Sequence, residues 1–443
     1  MLEKRYKIET PPSKFSPPTA ELAQRPEVMD AVTKAQDRYL PWQEFRFKTW
    51  VPGNKEDVWG IVKLIRKINS QPVRITDEHK TRYNFNTRAH VEFLHKVDLE
   101  LGEIFLGVQD FSESDRRQII RRNLIEESIA SSQLEGANTS RATAKKMLSE
   151  GRAPTDKGEQ MIVNNHETMR WIEEEVKDQK LSLDLIFELH RKITDKTIDE
   201  SHQGVLRSTL DKAGNPLVIK PWDDMTVAYV APSREFVEKQ LPILIAFAND
   251  EIKEAFIHPL VKAIMIHFWI GLLHPFEDGN GRLARILFYW YMLKKKYWAF
   301  SYLSISERIL KSPKQYAMAF IYSEQDEGDL NYFIHYNIEK IKLARKAFQE
   351  YLAGKIAENR RAADIIRKDH SLNKRQINLL QYLAKDEQRY TTLKEHNNIN
   401  QVIGKVTAAT DLRKLVEKGF LKKVKIGRNV FYYPTGKIRA FFG

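Results

Sequence analysis

Apolar residues recur three and four positions apart through most of this chain, the spacing that one buried helix face produces. It predicts helices over 57–70, 91–102, 116–136, 139–149, 157–178, 182–194, 234–249, 259–273, 306–319 and 330–367, with one more ending near Lys294. The spacing lapses twice. Residues 1–38, with Pro11-Pro12 and Pro17-Pro18, read as an irregular arm. At Gly204, short β-prone runs take over: Val205 to Leu210, Leu217 to Ile219, and Thr226 to Val230, separated by the turn chemistry of Lys212-Ala213-Gly214-Asn215-Pro216. The helix after Leu330 becomes charged and Ala-rich beyond Lys340, which suits a connector.

From Asn373 the texture changes again. Helical spacing over 375–383 and 401–418 is followed by Phe420 to Tyr433, which reads strand, Gly turn, strand. Helix, helix and basic ribbon is the layout of a winged helix-turn-helix. The expectation is a mainly α chain with one small β-hairpin. It divides into an N-terminal arm and helical domain (1–110), a central domain (111–340), a helical linker (341–372) and the winged module (373–443).

Composition narrows the chemistry. None of the 443 residues is cysteine. That excludes a disulfide scaffold, Cys-ligated zinc and a thiol nucleophile, and it fits the cytoplasm. The first residues lead into a Pro-rich stretch without the apolar core of a signal peptide. The longest apolar run, Ala263 to Leu273, contains His267 and falls short of the roughly 20 residues that cross a bilayer, so no membrane partner is expected. Net charge is +13, and the segment from Lys374 onward carries 15 Lys/Arg against 5 Asp/Glu. Most of the excess is therefore in the last seventy residues, where Thr407, Thr410, Arg413 and Lys414 suit an exposed helix face and Lys422, Lys423, Lys425 and Arg428 a basic wing. Such a surface suits DNA phosphates or a protein contact.

The chemistry concentrates between two apolar helices, in His274-Pro275-Phe276-Glu277-Asp278-Gly279-Asn280-Gly281-Arg282-Leu283-Ala284-Arg285. His274 can accept a proton. Asp278 suits a hard cation such as Mg²⁺. Gly279 and Gly281 admit a ligand close to the backbone. Arg282 and Arg285 share a helix face and can fork onto phosphate oxygens. The set suits attack by a hydroxyl on a Mg²⁺-bound nucleotide. A zinc hydrolase fits poorly, since one histidine lacks a second nearby ligand.

This stretch resembles the signature of Fic-domain proteins, His-Pro-Phe-x-(Asp/Glu)-Gly-Asn-Gly-Arg-x-x-Arg, and agrees at every defined position. The resemblance implies a helical Fic core with a small hairpin flap, and transfer of AMP from ATP to a target hydroxyl. It makes His274 the general base and Asp278 the Mg²⁺ ligand at the α- and β-phosphates. Gly279, Asn280 and Gly281 become the anion-binding turn, Arg282 the contact at the β-phosphate and Arg285 that at the γ-phosphate. Phe276 becomes a buried anchor of the loop. Upstream, Ser131-Ser132-Gln133-Leu134-Glu135-Gly136 is similar to the family's inhibitory motif, (Ser/Thr)-x-x-x-Glu-(Gly/Asn), with Ser131, Glu135 and Gly136 in the defined places near the end of a helix at 119–136. A carboxylate there would pair with Arg285 and hold the cation the γ-phosphate needs. The extended piece Val227-Ala228-Tyr229-Val230 resembles the flap, which docks a target by strand addition. His190 and His267 read as satisfied core histidines, and the adenine pocket has no assigned residues.

The function expected is therefore a self-inhibited protein adenylyltransferase acting on an unknown target protein or on itself. Alternatives are AMP removal, transfer of another phosphate-containing group, or a DNA-binding regulator with a nucleotide-sensing Fic core. A homodimer is left open.

Overall fold

A computed structural model describes residues 7–9, 19–99, 113–211, 214–219, 229–253, 255–368, 372–384, 389–400, 404–426 and 429–438. It is mainly helical. Helices α1 (Thr19–Leu22), α2 (Pro26–Asp37), α3 (Trp42–Phe45) and α4 (Lys55–Ile68) open the chain. After α4 come the two-residue strands β1 (Gln71–Pro72) and β2 (Asn84–Phe85), paired antiparallel, and α5 at 91–99. Helices α6 (Glu113–Leu134), α7 (Arg141–Glu150), α8 (Lys157–Trp171) and α9 (Leu183–Thr194) follow, α8 running into a π-helical turn at Ile172–Val176.

Strands β3 (Val218–Ile219) and β4 (Tyr229–Val230) pair antiparallel, Val218 opposite Val230. Then come α10 (Arg234–Ala248), α11 (Pro259–Leu273), α12 (Asn280–Lys294), α13 (Ser306–Leu310), α14 (Pro313–Gln325) and α15 (Asn331–Lys368). The chain ends in α16 (Lys374–Ala384), α17 (Leu393–Ile399), α18 (Lys405–Glu417) and the hairpin β5 (Leu421–Ile426) and β6 (Asn429–Pro434).

The chain divides into two compact units, one drawn from 1–109, 120–144 and 154–345, the other from 110–119, 145–153 and 346–443. The first is built on α11 and α12. Thirteen of the fifteen residues of α11 are buried, among them Trp269 and Phe268, so this helix is enclosed on all sides. Trp290 and Tyr291 of α12 are equally buried. In the second unit, Ile377, Leu380, Leu412, Leu415 and Phe420 form a separate core. Around it, Lys405, Arg413, Lys414, Lys422, Lys423 and Lys425 are exposed. Arg428 lies outside the described residues. No helix among the described residues is long and apolar enough to cross a membrane.

Three differences from the sequence pattern have local causes. The arm expected over 1–38 contains α1 and α2, and in α2 Pro26 starts the helix rather than breaking it. The helix expected over 306–319 is two helices, because Pro313 opens a new one. Val205 to Leu210 forms no strand beyond a single bridge from Leu210 to Pro216.

Candidate active site

Helix α11 ends on His274, which adopts the left-handed conformation (φ 44°, ψ 58°) and returns its N–H to Ile270. For a residue with a Cβ that conformation costs about 1–2 kcal/mol. Gly279, at φ 84°, precedes α12 and leaves its first turn without a side-chain cap. The Gly279 N–H donates to Asp278 Oδ1 at 2.5 Å, and the N–H groups of the first turn beyond it lie on the end of the helix dipole that favours an anion.

The loop between is pinned from inside and outside. Asn280 accepts from the Phe276 N–H at 2.9 Å and donates to the Phe276 carbonyl at 2.7 Å. Phe276 is fully buried and stacks on the His190 ring, centroids 3.7 Å apart. The Gly204 N–H donates to His190 Nδ1 at 2.9 Å. The ring proton therefore sits on Nε2, which donates to the Asp278 carbonyl at 2.8 Å. At the other end, the Arg207 guanidinium donates to the His274 carbonyl at 2.5 Å. Neither His190 nor Arg207 was singled out as a site residue in the sequence. A histidine on an apolar helix face and an arginine in a β-prone run carry no local signal, and only the tertiary contacts reveal them.

Charge is arranged around this loop. Burial, reinforced by the Arg207 charge, brings the His274 imidazole down to about 4, so it is neutral near pH 7 and able to take a proton. Arg282 is fully buried and donates to the Ile193 carbonyl at 2.6 Å, with Asp278 3.6 Å away. Burial holds its guanidinium below the usual range, and the Asp278 and Glu135 carboxylates only partly offset this. Among the described residues, Arg282 Nε and Nη2 and Arg285 Nη1 have no hydrogen-bond acceptor. Unsatisfied buried cationic donors beside an uncapped helix start are what a phosphate would complete.

Arg285 is held by α6. Its Nε donates to Ser131 Oγ at 2.8 Å, and its Nη2 to the Ser131 carbonyl at 2.8 Å and to Glu135 Oε1 at 2.9 Å. Burial opposes the Arg285 charge, but Glu135 and Tyr316 more than compensate and raise it. Tyr316 in turn bonds His267 Nε2 at 2.7 Å. The Glu135 carboxylate also lies against Gly281, where a Cβ would overlap it. Any side chain at 281 would collide with that carboxylate. A cavity of about 610 Å³ opens beside Glu135 and Asp278, lined also by Asn138, Thr139, Asp156 and Lys157.

Residues 180–292 match the model of the Fic/DOC family. They form a Fic domain. "Protein adenylyltransferase fic-1" of Caenorhabditis elegans is 32% identical over 108 residues, and the C. briggsae protein of that name is equally similar. "Protein adenylyltransferase Fic" of Nematostella vectensis is 29% identical over 114 residues. The matched region is 24% of this chain and only 18% of each Caenorhabditis protein. Among solved structures, a Fic family protein from Desulfovibrio desulfuricans G20 aligns over 77% of this chain and 96% of its own, at 18% identity and a TM-score of 0.48. Fic-1 from C. elegans aligns over 75% and 82%, at 18% and 0.47.

Within the Fic domain the structure brings His274, Phe276, Asp278, Gly279, Asn280, Gly281, Arg282 and Arg285 into one loop and helix start. Ser131 joins them from α6 and Glu135 from the turn just past its end, followed by Gly136, all outside the matched segment. The Asn280 side chain is committed to Phe276, so its part is to fix the loop. Tyr229 and Val230 form β4, whereas Val227 and Ala228 lie outside the described residues.

Proposed function

We propose that this Fic domain transfers AMP from ATP to a hydroxyl of a protein target, and that Glu135 restrains it. One observation carries the reading: Arg285, the cation three residues beyond Arg282 on the anion-facing helix, is engaged by a carboxylate from the turn that ends α6, with a neutral imidazole at the far end of the same loop. A triphosphate fits the uncapped start of α12 and the two arginines. Its γ-phosphate would compete with Glu135 for Arg285. His274 takes the proton of the attacking hydroxyl as that oxygen bonds to the α-phosphorus. The bond to the bridging oxygen breaks, and pyrophosphate leaves on the arginines.

The donor set suits Mg²⁺. The Asp278 side chain is 39% exposed, and among the described residues no group of three or more acidic or histidine side chains forms a protein-only cage. A cation held by one carboxylate and by substrate phosphates matches the habit of Mg²⁺. When bound, it would neutralise phosphate charge. The target's chain is proposed to dock beside β4.

The test compares wild type, Glu135→Gly and Glu135→Gly/His274→Ala, each incubated with α-labelled ATP, Mg²⁺ and candidate target or the chain alone. Faint labelling, a large rise, then loss is the expected series. Labelling by wild type that Glu135→Gly leaves unchanged overturns the restraint. ATP binding without label in any variant overturns the reaction.

A further inference from the structure

One residue binds three consecutive carbonyls at the end of α11. The Arg207 guanidinium donates to His274 O at 2.5 Å and to Leu273 O at 3.4 Å, and the Arg207 backbone N–H donates to Pro275 O at 3.0 Å. The same guanidinium donates to Pro232 O at 2.7 Å, two residues past β4, and to Ser208 O at 3.0 Å. Arg207 is 4% exposed, and among the described residues its guanidinium hydrogen-bonds only carbonyl oxygens. The carbonyls that close a helix have no partner within it, and a cation is favoured there. Arg207 meets both needs at the point where His274 turns left-handed.

We propose that Arg207 is a positioning residue for the transfer reaction: by capping α11 it fixes the backbone of His274, and so aims the imidazole, while tying the segment after β4 to the same point. The proposal deepens the AMP-transfer reading and rests on it. Lysine cannot replace the fork, because one ammonium cannot reach four carbonyls spread along three segments. Arg207 and Asp278 act on His274, and Glu78 and Tyr229 act on Arg207. Glu78 itself accepts from the Ser233 N–H at 3.3 Å.

The experiment places Arg207→Lys and Arg207→Met in the full chain carrying Glu135→Gly. Transfer kinetics and the ring titration of His274 by NMR are measured for each. A misaimed base costs about 100-fold in kcat, so both variants are expected to lose that much while KM for ATP stays within about twofold. Arg207→Met also releases His274 toward the ordinary histidine range, whereas Arg207→Lys keeps it low. Parental kcat in Arg207→Met overturns the proposal. So does an equal loss of kcat and ATP affinity in both variants with a collapsed melting transition, which marks a mere structural prop. If the Glu135→Gly parent transfers no AMP, the function fails, yet the same spectra still decide Arg207: unmoved backbone amide signals of His274 and its loop in Arg207→Met refute it.

Discussion

Glu135 Oε1 and Arg285 Nη2 lie 2.9 Å apart across 150 residues of chain. The pair is buried on the arginine side and partly open on the glutamate side, 5% against 24% exposed. Breaking it leaves a buried cation that keeps its Ser131 bonds but has lost its carboxylate. Glu135→Gly is therefore expected to raise AMP transfer by about 10- to 100-fold, the worth of one charge-assisted hydrogen bond of about 1.5–3 kcal/mol. It is also expected to lower the melting temperature unless ATP is present. Glu135→Gln, which keeps the shape and loses the charge, should fall between. Equal rates in all three chains would remove Glu135 from the mechanism.

The pH profile reports on His274. Its imidazole is down at about 4 through burial and Arg207. A base must be neutral to work, so activity is full above that value and is lost as pH falls through it. Transfer by Glu135→Gly should thus stay level from pH 8 to about 5. A falling limb near 6.5 would place the imidazole in water-like surroundings and contradict the structure.

Asn280 fastens the loop by two hydrogen bonds to Phe276. Asn280→Ala leaves a buried N–H and carbonyl unpaired, a loss of about 1–3 kcal/mol for each group. Asn280→Asp restores the acceptor alone. Urea unfolding should rank wild type above Asp above Ala. A variant as stable as wild type would mean that the loop finds other partners.

Acid sensitivity follows from the buried histidines. Burial brings His90 and His267 to about 3, and His190 and His335 to about 4. Above 6.5, folded and unfolded chains are both neutral at these rings. Below it, the unfolded chain binds protons that the folded chain refuses, so stability falls from about pH 6.5 down to the folded values. Half-buried Glu127, Glu173 and Glu395, whose carboxyls are raised by desolvation, work in the opposite direction. The measurement therefore compares wild type with His90→Phe by urea unfolding at pH 7 and pH 5. The variant should lose less stability between the two, and parallel losses would refute the assignment.

The motif and most helices were legible because each is written locally. A 3.6-residue period marks α8 to α10, long apolar runs mark α11 and α12, and nine fixed positions mark the loop. Helix α2 was missed because its buried stripe, Val28, Ala31, Val32 and Ala35, is half alanine and follows two proline pairs. Helix α17 is seven residues with few apolar positions. The supports of the site were hidden for another reason. Arg207 and His190 act through backbone carbonyls 67 and 88 residues away, a relation that no spacing encodes.

The bond between Arg285 and Glu135 also makes competition unequal. ATP reaches Arg285 by diffusion, at whatever concentration the solution holds. Glu135 is tethered to α6 and meets the same guanidinium at an effective concentration set by the fold, of millimolar order even for a loosely tethered group. Dilution does not weaken it and added carboxylate does not strengthen it. A change in where α6 ends would alter its advantage.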